Sequence, residues 1–275
     1  MKFPMCNLHT HTAYCDGKEE PEEILQKALE LGMHTLGFSG HSYTSFDDCC
    51  CMSIEGTEAY RREIARLKTA YRGEIRVLCG IEQDFYSDFE AVGYDYVIGS
   101  VHYLPKNGSY FPVDAHPDLL QKGVRECFGG DIYKFTTEYY ETVANLAEKT
   151  HCDIVGHFDL VEKFNEEQRF FDSSDYRYRR PMLDALDVLL KKDLIFEINT
   201  GAIGRGYRKT PYPSSYLLRR IAEKRGRVMI NSDAHNKQQL LTAFSDAARF
   251  AISCGVGGFT VPTECGFETR PIGSF

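Results

Sequence analysis

Apolar residues fall into short runs that alternate with stretches of helical spacing. The first run covers Phe3 to Leu8. Pro21 to Leu29 then reads as a helix: proline suits its first turn, Glu22 and Glu23 follow, and Gly32 is placed to end it. The same reading predicts strands over 35–39, 75–81, 95–101, 153–156, 194–198 and 227–230. It predicts helices over 57–71, 131–149, 181–192, 214–225 and, as a last long helix, 237–253. The polar stretch 103–130 is too long for a simple connection and reads as a functional loop with some structure of its own. Strand and helix alternate about seven times without a Gly/Pro/Ser linker, which predicts one α/β domain over 1–275 with a largely parallel sheet. A GxGxxG fingerprint after the first strand is absent, and so is a Walker loop.

The polar residues decide between an open sheet and a barrel. After Leu8 come His9 and His11, and "SGHS" puts His41 after the next strand. Glu82 ends "VLCGIE", His102 follows "YVIGSV", His157 ends "DIVGH", and "NSDAH" supplies Asp233 and His235. Six strands thus deliver a ligand-type side chain at their carboxyl ends. In a barrel those ends form one rim, the face that carries active sites. Any one of these residues alone reads as an ordinary hydrogen-bonded loop residue. Together they include six of the nine histidines, and chance rarely gathers six at one topological place. His34, His116 and His151 precede a strand or lie in a long loop and keep the ordinary reading.

Imidazole and carboxylate together suit zinc, iron or manganese. Alternation along an extended segment turns both rings of His9 and His11 to one side. Asp16 lies farther along the same loop. Nine candidate ligands exceed one tetrahedral site and suit two or three ions sharing a bridging carboxylate.

Composition narrows the partners. With 32 basic and 40 acidic residues the net charge is −8, which disfavours a nucleic-acid surface. No stretch approaches the length of a membrane span. The ten cysteines contain no Cys-x-x-Cys pair, and the opening "MKFPMCNLH" lacks an apolar run of signal-peptide length, so reduced thiols in cytoplasm are expected. Cys49, Cys50 and Cys51 are adjacent, which suits an exposed loop better than a tetrahedral site. Cys15 is a minor candidate ligand.

The ordered set "HTHTAYCDG", "GFSGHS", "GIEQDF", "GSVHYL", "DIVGHFDLVEKF" and "NSDAH" resembles the polymerase and histidinol phosphatase (PHP) superfamily from His9 to His235. "SYTSFDDCCCMS", "RKTPYPSS" and the chain length resemble its histidinol-phosphatase branch. The resemblance implies a distorted (β/α)7 TIM-like barrel with a trinuclear centre at the C-terminal rim. One ion would take His9, His11, Glu82 and Asp233; a second Asp16, His41 and His235; a third Glu82, His102 and His157. Many relatives carry a histidine where this chain has Asp16. The implied reaction is hydrolysis of L-histidinol phosphate to L-histidinol and phosphate in histidine biosynthesis, by metal-activated hydroxide attack on phosphorus.

Three divalent ions against three carboxylates leave an excess of about three positive charges for a phosphate dianion. Arg205 and Arg208 in "NTGAIGRGYRKTPYPS" are candidate phosphate clamps, with Lys163 a weaker one. Asp159 or Glu162 is a candidate to select the substrate's ammonium and imidazole. The alternatives are another small phosphate ester or nucleotide, an amidohydrolase-type metal hydrolase, and a metal-binding module without catalysis. Amidohydrolase-type barrels also open with His-x-His, but usually carry a bridging lysine where this chain offers Glu82. The oligomeric state is not legible in the sequence.

Overall fold

A computed structural model describes residues 3–275 of the chain. In order, its first half holds β1 (Cys6–Asn7), α1 (Pro21–Glu30), β2 (Thr35–Phe38), α2 (Ile54–Ala70), β3 (Arg76–Asp84), β4 (Tyr96–Ser100), β5 (Tyr103–Lys106), β6 (Ser109–Pro112), α3 (Pro117–Cys127), α4 (Ile132–Ala144) and α5 (Leu146–Thr150). The second half holds β7 (Ile154–Val155), α6 (Tyr176–Leu189), β8 (Ile195–Asn199), α7 (Gly201–Gly204), α8 (Ser215–Glu223), β9 (Arg227–Asn231), α9 (Phe244–Ser253), β10 (Gly258–Thr263) and β11 (Gly266–Pro271).

A parallel seven-stranded sheet runs β1-β2-β3-β4-β7-β8-β9 and curls into a nearly closed barrel. β1 meets β9 through side chains as well as backbone. Asn231 Oδ1 accepts from Leu8 N–H at 2.9 Å, and Asn7 Oδ1 accepts from Ser232 N–H at 3.0 Å. Beyond them His11 N–H donates to the Ala234 carbonyl and Ala234 N–H to the His9 carbonyl. The predicted strand 3–8 is therefore a two-residue ladder: Asn7 and Asn231 amides replace backbone rungs.

Strand alternation sorts side chains into two layers. Outward residues such as Phe38, Val77, Ile81, Phe196 and Ile230 pack under the helices, against α1 (Ile24, Leu25, Ala28) and α2 (Tyr60, Ile64, Leu67). Inward residues Leu8, Leu78, Tyr96, Ile98, Ile154, Ile195 and Met229 form a separate apolar plug. The Tyr96 ring is the reason for two glycines. A Cβ at Gly80 would lie 2.2 Å from its Cζ, and one at Gly37 2.4 Å from its hydroxyl. That hydroxyl donates to the Leu8 and Phe38 carbonyls, at 2.5 and 3.0 Å.

The expectation for the long polar stretch holds, and the expected helices change in detail. The polar stretch after Tyr103 does hold structure of its own, the β5–β6 hairpin and α3. α6 starts five residues ahead of Pro181, at Tyr176, because the Asp175 carboxylate caps it by accepting from Arg177 N–H. The continuous helix expected over 237–253 is a 3-10 turn at Lys237–Gln239 followed by α9. Thr200 Oγ1 donates to the Thr242 carbonyl at 2.8 Å, and Ala243 adopts a left-handed φ of 57°, which breaks the helix there. The antiparallel β10–β11 hairpin was not foreseen; its Phe267 packs against the apolar plug. No described helix is long and apolar enough to cross a membrane.

Candidate metal centre

β3 delivers the central carboxylate. Along its inward face come Leu78 in the plug, Gly80 under Tyr96, and then Glu82 and Asp84 at the rim. Glu82 is 1 % exposed, yet its Oε2 lies 3.1 Å from His9 Nε2, 3.5 Å from His11 Nε2 and 3.0 Å from His41 Nδ1. Its Oε1 lies 2.9 Å from His157 Nε2 and 3.5 Å from His102 Nε2, and accepts from the Ser100 hydroxyl at 2.6 Å. One carboxylate thus faces five histidines from four separate segments.

A second group gathers on the β9 side. His11 Nε2 lies 3.2 Å from Asp233 Oδ1, and His235 Nε2 lies 3.1 Å from Asp16 Oδ2. Asp16 Oδ1 is 3.5 Å from His11 Nδ1 and 3.7 Å from His41 Nε2. Asp233 adopts a left-handed φ of 48°, which aspartate tolerates better than most residues. Gly17 lets the "CDG" loop fold back: a Cβ there would lie 2.5 Å from the His11 carbonyl carbon.

All nine residues named from the sequence therefore meet at one rim. The donor atoms group as His11–Asp16–His41–His235, His9–His11–Asp233 and His41–Glu82–His102. His11 and His41 stand between groups that the family pattern keeps apart.

The chemistry of these atoms fits a cation. His9 Nε2, His11 Nε2, Asp16 Oδ1 and Glu82 Oε2 are buried and make no hydrogen bond. Unpaired buried polar atoms are costly, so several aimed at one space call for an occupant. Burial alone would raise the Glu82 carboxyl, but the His9, His41 and His102 rings hold it well below the usual range. Burial acts likewise on Asp233, where Arg205 and His9 hold the carboxyl down. Burial, with His235 and His41 beside it, pushes His11 down to about 3. Against burial, the same carboxylates hold His9 and His41 well above the usual imidazole range while His11 stays unprotonated, so a bound cation would displace protons from the first two rings.

Beneath the ligands lies a residue the sequence reading missed. Glu197, inward on β8 and 1 % exposed, accepts from His9 Nδ1 at 2.7 Å and from His157 N–H at 2.9 Å. Asn199 and Asn231 amides donate to it at 2.8 and 3.0 Å. Burial would raise its carboxyl, but His9 keeps it below the usual range. A carboxylate behind a histidine fixes ring orientation and aims Nε2 at the ion. Asp84 stands in the same relation to His102 Nδ1, at 3.2 Å. The signal was present: Glu197 is a charged residue in the middle of the apolar run "LIFEIN".

The centre opens into a cavity of about 290 Å³. Arg205 enters it, donating to Asp233 Oδ2 at 2.9 Å and to the Asp233 carbonyl at 2.9 Å. Lys163 also lines it, paired with Asp114 Oδ2 at 2.8 Å. Arg208 does not. It turns to a neighbouring hollow, where it donates to the Glu162 carbonyl at 2.6 Å and lies over the Tyr212 ring. Arg205 and Arg208 line different hollows, so nearness in sequence to Arg205 did not mean nearness to the cavity. Asp159 is fully buried with Oδ2 accepting from Ser214 N–H, and Glu162 faces Arg208; neither lines the cavity. Cys15 Sγ stays 3.6 Å from His11 Nδ1 and 3.4 Å from the Thr12 carbonyl.

A parallel barrel with a histidine–carboxylate cluster on the carboxyl ends of its strands defines a protein of the rim-metal barrel class. The PHP domain matches residues 7–201, and the chain belongs to that family. It is 31% identical over 271 residues to the "Probable histidinol-phosphatase" of Deinococcus radiodurans, covering 94% of this chain and 95% of that one. It is 26% identical over 251 residues to the histidinol-phosphatase of Bacillus subtilis, covering 82% and 92%. Its fold superposes with a TM-score of 0.73 on the histidinol phosphate phosphatase of Lactococcus lactis, solved with zinc, L-histidinol and phosphate; identity is 20%, and 96% of this chain and 98% of that one are covered.

Proposed function

We propose that the chain is a histidinol-phosphatase, releasing phosphate from L-histidinol phosphate, with residues 1–275 working as one domain and the reaction placed in cytoplasmic histidine biosynthesis. The observation that carries this reading is the convergence of the unpaired atoms of His9, His11, Asp16 and Glu82 on one buried space. The names of the full-length relatives point the same way.

His9, His11, Glu82 and Asp233 would hold one divalent ion, Asp16, His41 and His235 a second, and Glu82, His102 and His157 a third. Zinc, iron and manganese all suit these donors. Such ions, when bound, supply Lewis-acid charge and lower the pKa of water toward neutrality.

The remaining work falls to the chain's own groups. Arg205 presents a guanidinium beside Asp233 and meets phosphoryl oxygens as a fixed fork. Lys163 adds a second cation to the cavity lining, where Asp114 holds it until an anion arrives. Arg208, facing away, acts indirectly by anchoring the Glu162 backbone. Leu160 and Tyr207 cover the cavity wall and limit water around the ester. Asp47 and Asp114 give the outer wall the negative charge that an alkylammonium prefers.

The test is a panel of phosphate esters assayed with metal-loaded protein. L-histidinol phosphate is expected to have the highest kcat/KM. A nucleotide or sugar phosphate ahead of it would move the reading to another phosphoesterase, and an amide turned over faster than any ester would end it.

A further inference from the structure

The segment after His41 forms the outer wall of the cavity, and it makes a second cluster away from the histidines. Asp47 sits where this segment turns. Its Oδ1 accepts from the N–H groups of Cys49 and Cys50, each at 3.1 Å, and its Oδ2 accepts from the Tyr103 hydroxyl at 2.7 Å. Adjacent residues on an extended chain point to opposite sides. The turn cancels that divergence. Cys49 Sγ and Cys50 Sγ are 3.7 Å apart, and Cys49 Sγ is 3.4 Å from Asp47 Oδ1. One ligand atom from each of the three residues lies within 4.8 Å of the others.

Those spacings have a metric meaning. A tetrahedral ion with metal–sulfur bonds of about 2.3 Å and metal–oxygen bonds of about 2.0 Å sets S···S at about 3.8 Å and S···O at about 3.5 Å. We propose that Asp47, Cys49 and Cys50 form a separate site for a thiophilic divalent cation of the zinc or cadmium kind, on the wall of the catalytic cavity. Three corners come from the protein, and the fourth is open past the exposed Cys49. Cys51 is not that corner, because its Sγ donates to the Asp47 carbonyl at 2.8 Å. Thiolates select against magnesium and manganese. The adjacency of the three cysteines, which argues against a tetrahedral site in an extended chain, ceases to matter once Asp47 turns the backbone.

Binding balances as one M2+ plus two thiols and one carboxylate giving a bis-thiolate carboxylate complex and two protons. The cation takes the place of the thiol hydrogen between Cys49 Sγ and Asp47 Oδ1. Burial and the Asp47 carboxylate raise the Cys50 thiol, so its proton stays in place until the cation displaces it. Two charges enter and two leave, so occupancy does not alter the net charge of the wall. Its effect is mechanical: it cross-links the turn that carries Asp47 and Cys50 into the cavity lining.

The test is independent of the enzyme's substrate. Protein with its rim ions already bound is titrated with Cd2+, and thiolate-to-cadmium charge-transfer absorption is read in the ultraviolet alongside proton release. One further ion per chain and two protons per ion are expected. Cys49→Ser and Cys50→Ser are each expected to lose the absorption, and Cys265→Ser, at an exposed thiol elsewhere, to keep it. No thiolate absorption in the parent chain would overturn the proposal. So would absorption that survives in the Cys49→Ser/Cys50→Ser double variant, which would assign it to another thiol such as Cys15.

Discussion

The two ends of the barrel interior are built from the same strands and follow opposite rules. At the lower end Leu78, Ile98, Ile195 and Met229 point inward and fill the space with hydrocarbon around Tyr96. Farther along the same inward faces Glu82, Ser100, Glu197 and Asn231 point inward and fill it with charge and amide. Burial is nearly complete at both ends. In the plug, burial is the source of stability, about 1.5–3 kcal/mol for each large apolar side chain. At the rim burial opposes ionisation, and neighbouring charges must overcome it. The comparison separates what holds the barrel together from what the barrel is for.

Glu82→Gln should have the largest effect. It keeps the volume and removes the charge facing five histidines. Loss of several kcal/mol of transition-state stabilisation is expected, a fall in kcat/KM of roughly 10³-fold, with the melting temperature of the metal-free protein little changed. A variant with near-parental activity would put the catalytic centre elsewhere. Ile98→Ala is its counterpart in the plug. It should cost about 3 kcal/mol of stability in denaturant unfolding while the folded fraction keeps its kcat/KM. Equal losses of activity per folded molecule in the two variants would erase the distinction between the ends.

Glu197→Gln lies between the two regions and sharpens the boundary. Its hydrogen bonds are all buried, and it does not itself line the cavity. Metal affinity, measured by chelator competition, should fall about 10–100-fold. An unchanged affinity would make Glu197 part of the scaffold only. The smallest effect is expected at Phe267, which closes the plug from the β10–β11 hairpin and is only partly buried. Phe267→Ala should lose about 1 kcal/mol of stability and leave metal content untouched.

The rim was far more legible in the sequence than the lower end. A ligand-type side chain after an apolar run is visible one residue at a time, and six such events, five with histidine and one with Glu82, need only a barrel to bring them together. The plug leaves no comparable signature, because Leu78 and Ile81 look alike in sequence although one faces the barrel axis and the other the helices. Glu197 shows the limit from the other side. It is an acid inside an apolar run, and only the position of His9 explains it. Arg208 shows that nearness in sequence fails in a loop, where Arg205 and Tyr207 line the cavity and the next residue lines a neighbouring hollow. The hairpin at 258–271 lies outside the alternation that announced the seven barrel strands, and its antiparallel pairing ties it to no rim residue.

The most direct test of the central claim is anomalous diffraction from crystals of the metal-loaded chain at the absorption edge of the added metal. Peaks are expected within bonding distance of both Glu82 carboxylate oxygens and of Asp16. A rim without peaks, in crystals whose ions are bound elsewhere, would contradict the claim that these nine side chains converge to hold metal.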